Sequence, residues 1–193
     1  MPEDDRSYWD QRWREGDTAW DIGGVSPPLQ HYFEQLPDKT ISILIPGCGN
    51  AYEAAWLLDN GFTGITLLDI SPQATQRLRE KFAGTPIKVL TADFFRHTGQ
   101  YDLIIEQTFL CALDPSQRPA YVEKAHNLLR PGGKLAGLLF DRDFAAGPPY
   151  GGRKAEYQQL LEKKFTIKTL APCYNSIKPR TGTELFFIAV RND

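Results

Sequence analysis

"ISILIPGCGNAYEAAWLLDNG", residues 41–61, passes from a β-branched apolar run through a glycine turn into an apolar-rich helical pattern that Gly61 closes. It therefore reads as strand, tight turn, helix. Downstream the same unit recurs. "GITLLDIS" (64–71) is a second strand, and Ser71-Pro72 supplies an N-cap and a proline at the first helical position of "PQATQRLREKF" (72–82). The alternation continues with "IKVLTADFF" (87–95), "YDLIIEQTFLCAL" (101–113), a helix over roughly 115–130, and "KLAGLLF" (134–140), introduced by the turn "RPGG". A last helix near 153–164 precedes "FTIKTLA" (165–171) and "ELFFIAVRN" (184–192). No helical pattern separates those two runs, which predicts an antiparallel pair at one edge.

Near-continuous apolar strands alternating with helices predict an α/β sandwich, a mostly parallel sheet covered on both faces, with its ligand at the carboxyl ends of the strands. The chain of 193 residues fits a single domain. Residues 1–40 lie outside the alternation, and the proline- and glycine-containing stretch 22–40 reads as an ordered connection. With 22 basic and 24 acidic residues the net charge is −2, and no run of like charge suggests a nucleic-acid or membrane footprint. The partner expected is a small molecule. The acidic start "MPEDDRSYW" is unlike a secretory signal and no apolar stretch is long enough to span a bilayer, so the expected location is the cytoplasm. The three cysteines, Cys48, Cys111 and Cys173, lack the spacing of a zinc site, and no metal is expected. Cys48 and Cys111 read as small buried residues, and Trp56 as core. A monomer is favoured.

Gly47 and Gly49 follow a strand and open a helix, where backbone N–H groups are exposed and a ligand can approach closely. Asp69 ends the next strand, placed to accept hydrogen bonds from both hydroxyls of a ribose. The third glycine of a dinucleotide turn is replaced by Tyr52. That ring disfavours a pyrophosphate and hence the alternative of a nicotinamide-dependent oxidoreductase; S-adenosyl-L-methionine carries no phosphate and needs only the looser pattern that "GCGNA" supplies. Asp93 and Phe94 in "TADFF" are placed to accept from an adenine amino group and to flank its ring, although a turn carboxylate is the commoner use of such an aspartate. A non-catalytic module that binds this cofactor is a further alternative.

Three of the four tryptophans stand in "SYWDQRWREGDTAWD" (7–21), ahead of the first strand. Together with "LIPGCGNAYE", "LLDIS", "TADFF", "FLCAL…RPAY", "LLRPGGKL", "GPPYGG" and "PRTGTE", they make the chain resemble the thiopurine S-methyltransferase family of class I S-adenosylmethionine methyltransferases, including its halide/thiol methyltransferase branches. The resemblance implies a Rossmann-like seven-stranded sheet of order 3-2-1-4-5-7-6 with strand 7 antiparallel, and an N-terminal segment folded over the cofactor as a lid. It implies cofactor contacts at Trp9, Trp13, Trp20, Gly47, Asp69, Asp93, Phe94 and Gln107, the last departing from the arginine or aromatic residue of family members. It also implies methyl transfer to a thiol or thiopurine, hydrosulfide, halide or metalloid.

Such transfer requires positioning and desolvation more than a strong base. His31, His97 and His126 fall in no motif and read as surface or helix residues. Arg180 matches a family arginine near the substrate and could orient an anion, or it could pair with Glu184. Tyr150 is expected to wall the acceptor pocket, with a cis bond at one of the prolines before it, or else to pack inward. Arg142 and Asp143 are weaker candidates, equally readable as a solvated pair.

Overall fold

The computed structural model describes residues 3–193; the first two residues of the acidic N-terminus lie outside them. In chain order the elements are α1 (Glu3–Glu15), α2 (Pro27–Glu34), β1 (Ile43–Pro46), α3 (Tyr52–Asp59), β2 (Ile65–Asp69), α4 (Pro72–Lys81), β3 (Lys88–Thr91), β4 (Tyr101–Gln107), α5 (Arg118–Leu128), β5 (Leu129–Phe140), α6 (Lys154–Leu161), β6 (Phe165–Pro172) and β7 (Glu184–Arg191). The sheet order is β3-β2-β1-β4-β5-β7-β6. Neighbours from β3 through β5 are parallel, and β7 lies antiparallel between β5 and β6. The architecture inferred from the alternation, and the strand order implied by the resemblance, are both present.

Every residue of β1 and β2 is buried, as strands covered on both faces must be. Their side chains alternate between two cores. Ile43, Ile45, Ile65 and Leu67 pack with Leu29 and Phe33 of α2, Leu57 of α3 and Leu78 of α4, whereas Leu44, Leu68 and Ile104 pack with Tyr121 and Val122 of α5 and Leu161 of α6. Two readings need correction. The stretch 22–40 contains a helix, because Pro27 and Pro28 occupy the first helical positions after Ser26, where proline suits a helix, and Leu29 and Phe33 then fall on its buried face. "RPGG" is no separate turn before β5 but a bulge within it: Tyr101 pairs with Leu129 and Leu103 with Lys134, with Gly132 at φ +74° taking up the extra length.

The end of β4 is tied down by Glu106, which is 1% exposed. Its Oε1 accepts from the N–H groups of Phe109 (2.8 Å) and Leu110 (2.9 Å), and its Oε2 from the Tyr121 hydroxyl (2.7 Å). These bonds shape the 3-10 turn Leu110–Ala112 that follows the strand. Burial nevertheless pushes the carboxyl up from 4.5 to about 7 against the lowering effect of its donors. A raised folded-state pKa means that the native state holds this proton more tightly than the unfolded chain, so stability falls as pH rises from about 4.5 to about 7. Glu106→Ala strands three donors and is expected to cost about 3 kcal/mol in urea unfolding at pH 8. Glu106→Gln keeps an acceptor for both N–H groups and a donor for the Tyr121 oxygen; it should cost about 1 kcal/mol or less and flatten the fall with pH.

Candidate active site

The carboxyl ends of β1 and β2 open on one crevice, and the turns leaving them line it. After Pro46 the chain takes φ +56° at Gly47, +52° at Gly49 and +52° at Ala51 before α3 begins. A Cβ at Gly47 would strike the Phe109 ring, so only glycine fits between the turn and that side chain. Across the crevice, the buried Asp69 accepts from Gly49 N–H through Oδ2 (3.3 Å) and from Ser71 N–H through Oδ1 (3.0 Å). Burial pushes its carboxyl up to about 6, with the backbone donors pulling the other way.

The N-terminal segment roofs this crevice. Trp9 and Trp13, one turn apart on α1, each meet Trp20 edge to face, with centroids 5.5 and 5.7 Å away. Gly49 lies directly beneath: a Cβ there would be 3.7 Å from the Trp13 ring and 3.8 Å from the Trp20 indole nitrogen. The Arg12 guanidinium sits 5.0 Å from the Trp20 ring centroid. Past Trp20 the segment is pinned at Asp21, whose carboxylate accepts from Asn50 Nδ2 (2.6 Å) and the Tyr52 hydroxyl (3.1 Å). Tyr52, at the position of a dinucleotide turn's third glycine, thus holds the roof.

The crevice is a cavity of about 400 Å³, lined by the three tryptophans, Gly47, Gly49, Asp69 and Phe94 at one end. Its other end is formed by Cys111, Phe140, Phe144, Pro148 and Pro149, with Arg142 and Arg180. Arg180 makes the pair with Glu184 that its sequence position allowed, and it also lines the cavity. Its Nη1 pairs with Glu184 (3.2 Å) and its Nη2 donates to the Trp20 carbonyl (3.0 Å). Arg142 also faces the cavity, 4.6 Å from the Phe144 centroid. It forms no pair with its neighbour Asp143, whose carboxylate binds Arg153 instead. Burial and the nearby Glu106 push the Cys111 thiol well up, and its Sγ lies 3.3 Å from the Thr108 carbonyl, so it behaves as wall rather than nucleophile.

Three expected residues are not among those lining this cavity. Tyr150 does not line the cavity; its ring backs onto Gly147, and its N–H donates to the Cys111 carbonyl (2.6 Å), which fixes the loop carrying Pro148 and Pro149. Both Gly147-Pro148 and Pro148-Pro149 are cis, where one such bond was expected. Asp93 accepts from Phe95 N–H (2.9 Å) and lies 3.9 Å from Arg96, at the edge of the crevice rather than in its wall, while Phe94 lines it and packs on Phe109 and Tyr121. Gln107 borders a small annex of about 50 Å³ beside the glycine turn, and its buried Oε1 has no hydrogen-bond partner among the described residues. None of the three histidines borders the cavity; His97 bonds the Tyr101 hydroxyl (2.8 Å). No cluster that could hold a metal ion, and no helix long and apolar enough to cross a membrane, occurs among the described residues. Sequence reading missed Asp10, Asp21, Asn50 and Glu106. Only Asp21 left a signal, as the aspartate after the third tryptophan.

The fold agrees with what known proteins show. The family model of thiopurine S-methyltransferase matches residues 4–184. "Probable thiol methyltransferase 2" of Arabidopsis thaliana is 33% identical over 194 residues, covering 95% of this chain and 84% of that protein. "Thiocyanate methyltransferase 1" of Brassica oleracea is 29% identical over 184 residues, covering 91% and 81%. The fold is shared with the crystal structure of 1,6-didemethyltoxoflavin-N1-methyltransferase of Burkholderia thailandensis, which contains S-adenosylhomocysteine; the TM-score is 0.77 at 20% identity, over 97% of this chain and 87% of that one. With the glycine turn, the strand-end carboxylate and the tryptophan roof in place, the chain belongs to the thiopurine S-methyltransferase family.

Proposed function

We infer that this S-adenosylmethionine-dependent methyltransferase transfers the methyl group to a small, soft, anionic or readily ionised nucleophile: a thiol or thiopurine, hydrosulfide, halide or metalloid. The observation that carries the reading is one cavity in which the Gly47–Gly49 turn and Asp69 meet a roof of three indoles, continuous with an apolar end that holds two arginines. Relatives named for thiol and thiocyanate methylation support the same acceptor class. The whole chain is proposed as one catalytic unit, with residues 1–40 as its cover.

The residues present fit the cofactor. Asp69 would accept from the ribose hydroxyls, Phe94 would flank the adenine, and the unpartnered Gln107 Oε1 beside the glycine turn suits an ammonium donor at the methionine end. Asp93, beside the adenine position, would accept from the exocyclic amine. When bound, S-adenosylmethionine supplies a methyl group on a sulfonium. Trp9, Trp13 and Trp20 would offer π faces to that cation and keep water from it. Arg180 would hold an anionic acceptor in line and favour the thiolate over the thiol, and Tyr150 would act through the proline loop that it anchors rather than by contact. A thiol of pKa ~8.5 is already a few per cent ionised at neutral pH, so no side chain need serve as a strong base.

Calorimetry with S-adenosylmethionine, followed by a panel of thiols, halides, hydrosulfide and metalloid oxyanions with volatile-product detection, tests this. Binding and stoichiometric S-adenosylhomocysteine formation with at least one acceptor are expected; absence of turnover across the panel would defeat the catalytic reading. Affinity should also depend on pH. Because the free carboxyl of Asp69 titrates at about 6 and the ribose needs it ionised, binding should weaken about tenfold from pH 7.5 to pH 5, and Asp69→Asn should be weaker and lose this dependence. Trp20→Ala should raise the cofactor Kd at least tenfold while the melting temperature of the free protein moves by only about 2 °C. Equal losses in both would make the tryptophans ordinary core.

A further inference from the structure

Helix α1 carries two of the three roof tryptophans, yet little apolar surface holds it: its sequence, "EDDRSYWDQRWRE", is mostly charged. A helix of this length and composition does not persist by itself in water. Beyond the contacts of the tryptophans, which include Arg77 at 5.8 Å from the Trp13 ring, Asp10 makes polar contacts that tie α1 to the start of α4. Asp10 is 8% exposed. Its Oδ1 accepts from the Ser71 hydroxyl (2.8 Å) and from Gln73 N–H (3.0 Å) at the start of α4, and its Oδ2 pairs with Arg14 (2.6 Å). Burial alone would raise this carboxyl, but the Gln73 and Ser71 donors and the arginine hold it below the usual carboxylate range. It stays charged where a helix N-terminus favours charge.

Ser71 has no exposed surface and no free orientation. Its hydroxyl accepts from Ala74 N–H (3.2 Å) while donating to Asp10, and its own N–H donates to Asp69 Oδ1 (3.0 Å). Asp69 in turn holds Gly49 N–H. Asp10, Ser71, Asp69 and the glycine turn therefore form a series of directional bonds that runs from the roof to the floor of the crevice. Asp10 sits between Trp9 and Trp13 in sequence, so the rotation of α1 that satisfies its carboxylate is the rotation that turns both indoles inward.

Resting on the cofactor reading above, we propose that Asp10 is a positioning residue: through Ser71 it locks the tryptophan roof to the carboxylate that receives the ribose, so that roof and floor are set as one unit. The acceptor end of the cavity is not part of this lock.

The test compares Asp10→Ala, Asp10→Asn, Ser71→Ala and the double Ala variant. Hydrogen exchange on the free full-length protein should show residues 3–15 losing protection in Asp10→Ala while the sheet keeps its own. Titration with S-adenosylhomocysteine should show affinity reduced roughly tenfold or more in Asp10→Ala, as expected when a charge-assisted bond is removed. Asp10→Asn, which keeps an acceptor for both donors, should recover most of that loss. Because the two groups act in series, the double variant should bind no worse than the weaker single variant. At saturating cofactor, kcat should stay within about twofold of wild type, the effect lying in the cofactor KM. Unchanged exchange in residues 3–15, or unaltered affinity in Asp10→Ala, would overturn the proposal, as would losses that multiply in the double variant. Wild-type protein that binds no S-adenosylhomocysteine would overturn the cofactor reading instead, and exchange would still decide whether Asp10 locks α1.

Discussion

A carboxylate buried at the end of β2 must find donors, and much of the site follows from where Asp69 finds them. Its two oxygens are shared between the N–H of Gly49, in the turn after β1, and that of Ser71, at the start of α4. Neither is a side-chain cation, so burial is only partly offset and the carboxyl sits near pH 6. A buried group so poorly compensated favours any ligand that brings hydroxyl donors to it. The parallel pairing of β1 with β2 places both turns at the same end of the sheet, and this one carboxylate then spans the crevice between them. Gly47 follows from the same closeness, since a side chain there would strike Phe109, whereas Gly49 is favoured by its φ of +52°.

β1, β2 and most of β4 were legible because they are buried on both faces and so appear as nearly unbroken apolar runs. The antiparallel edge was legible as a pair, but the insertion of β7 between β5 and β6 came from resemblance, because nothing in the alternation distinguishes it from sequential order. The errors share a cause. Pro27-Pro28 and Pro131-Gly132 were both read as interruptions, yet proline begins a helix in the first case, and glycine permits a bulge in the second. Of the site, the backbone-determined positions were readable: glycines after a strand and an acid at the end of the next. Asp10 and Glu106 were not. An acid among charged residues reads as solvated, and only the fold shows that Asp10 is packed against α4 or that Glu106 is enclosed by a turn three residues ahead of it. For Tyr150 it is the alternative reading, a ring packed inward in a rigid turn, that matches its placement. Its motif was recognised, but a motif does not say whether a ring points into a cavity or backs the loop that forms its wall.

The walls of the proposed acceptor end have a physical logic of their own. Phe140, Phe144, Pro148 and Pro149 offer no hydrogen bonds, so an anion entering there loses water and gains nucleophilicity. Charge must still be compensated somewhere. Arg142 stacks near Phe144, whereas Arg180 has part of its hydrogen-bonding capacity committed to Glu184 and to Trp20. An arginine so held is oriented before any ligand arrives, which lowers the entropy lost on binding. It is also a weaker attractor, because Glu184 cancels part of its field. The arrangement suits an acceptor that must be aligned and then released more than one that must be held tightly.

The roof has two anchorages, one on α1 and one at Trp20 and just past it. At one, Asp10 ties α1 to the turn that presents Asp69; at the other, Trp20 and Asp21 are held by Arg180, Asn50 and Tyr52. The bond from Arg180 to the Trp20 carbonyl is the only one of these that reaches from the roof to a residue bordering the acceptor end. An acceptor anion drawing on the same guanidinium would compete with, or realign, that bond, and so bear directly on the indole that covers the glycine turn. On the proposed reading, cofactor cover and acceptor alignment would thus share one side chain. A charge-neutral replacement at Arg180 would therefore touch both at once, whereas Arg142 holds no part of the roof among the described residues.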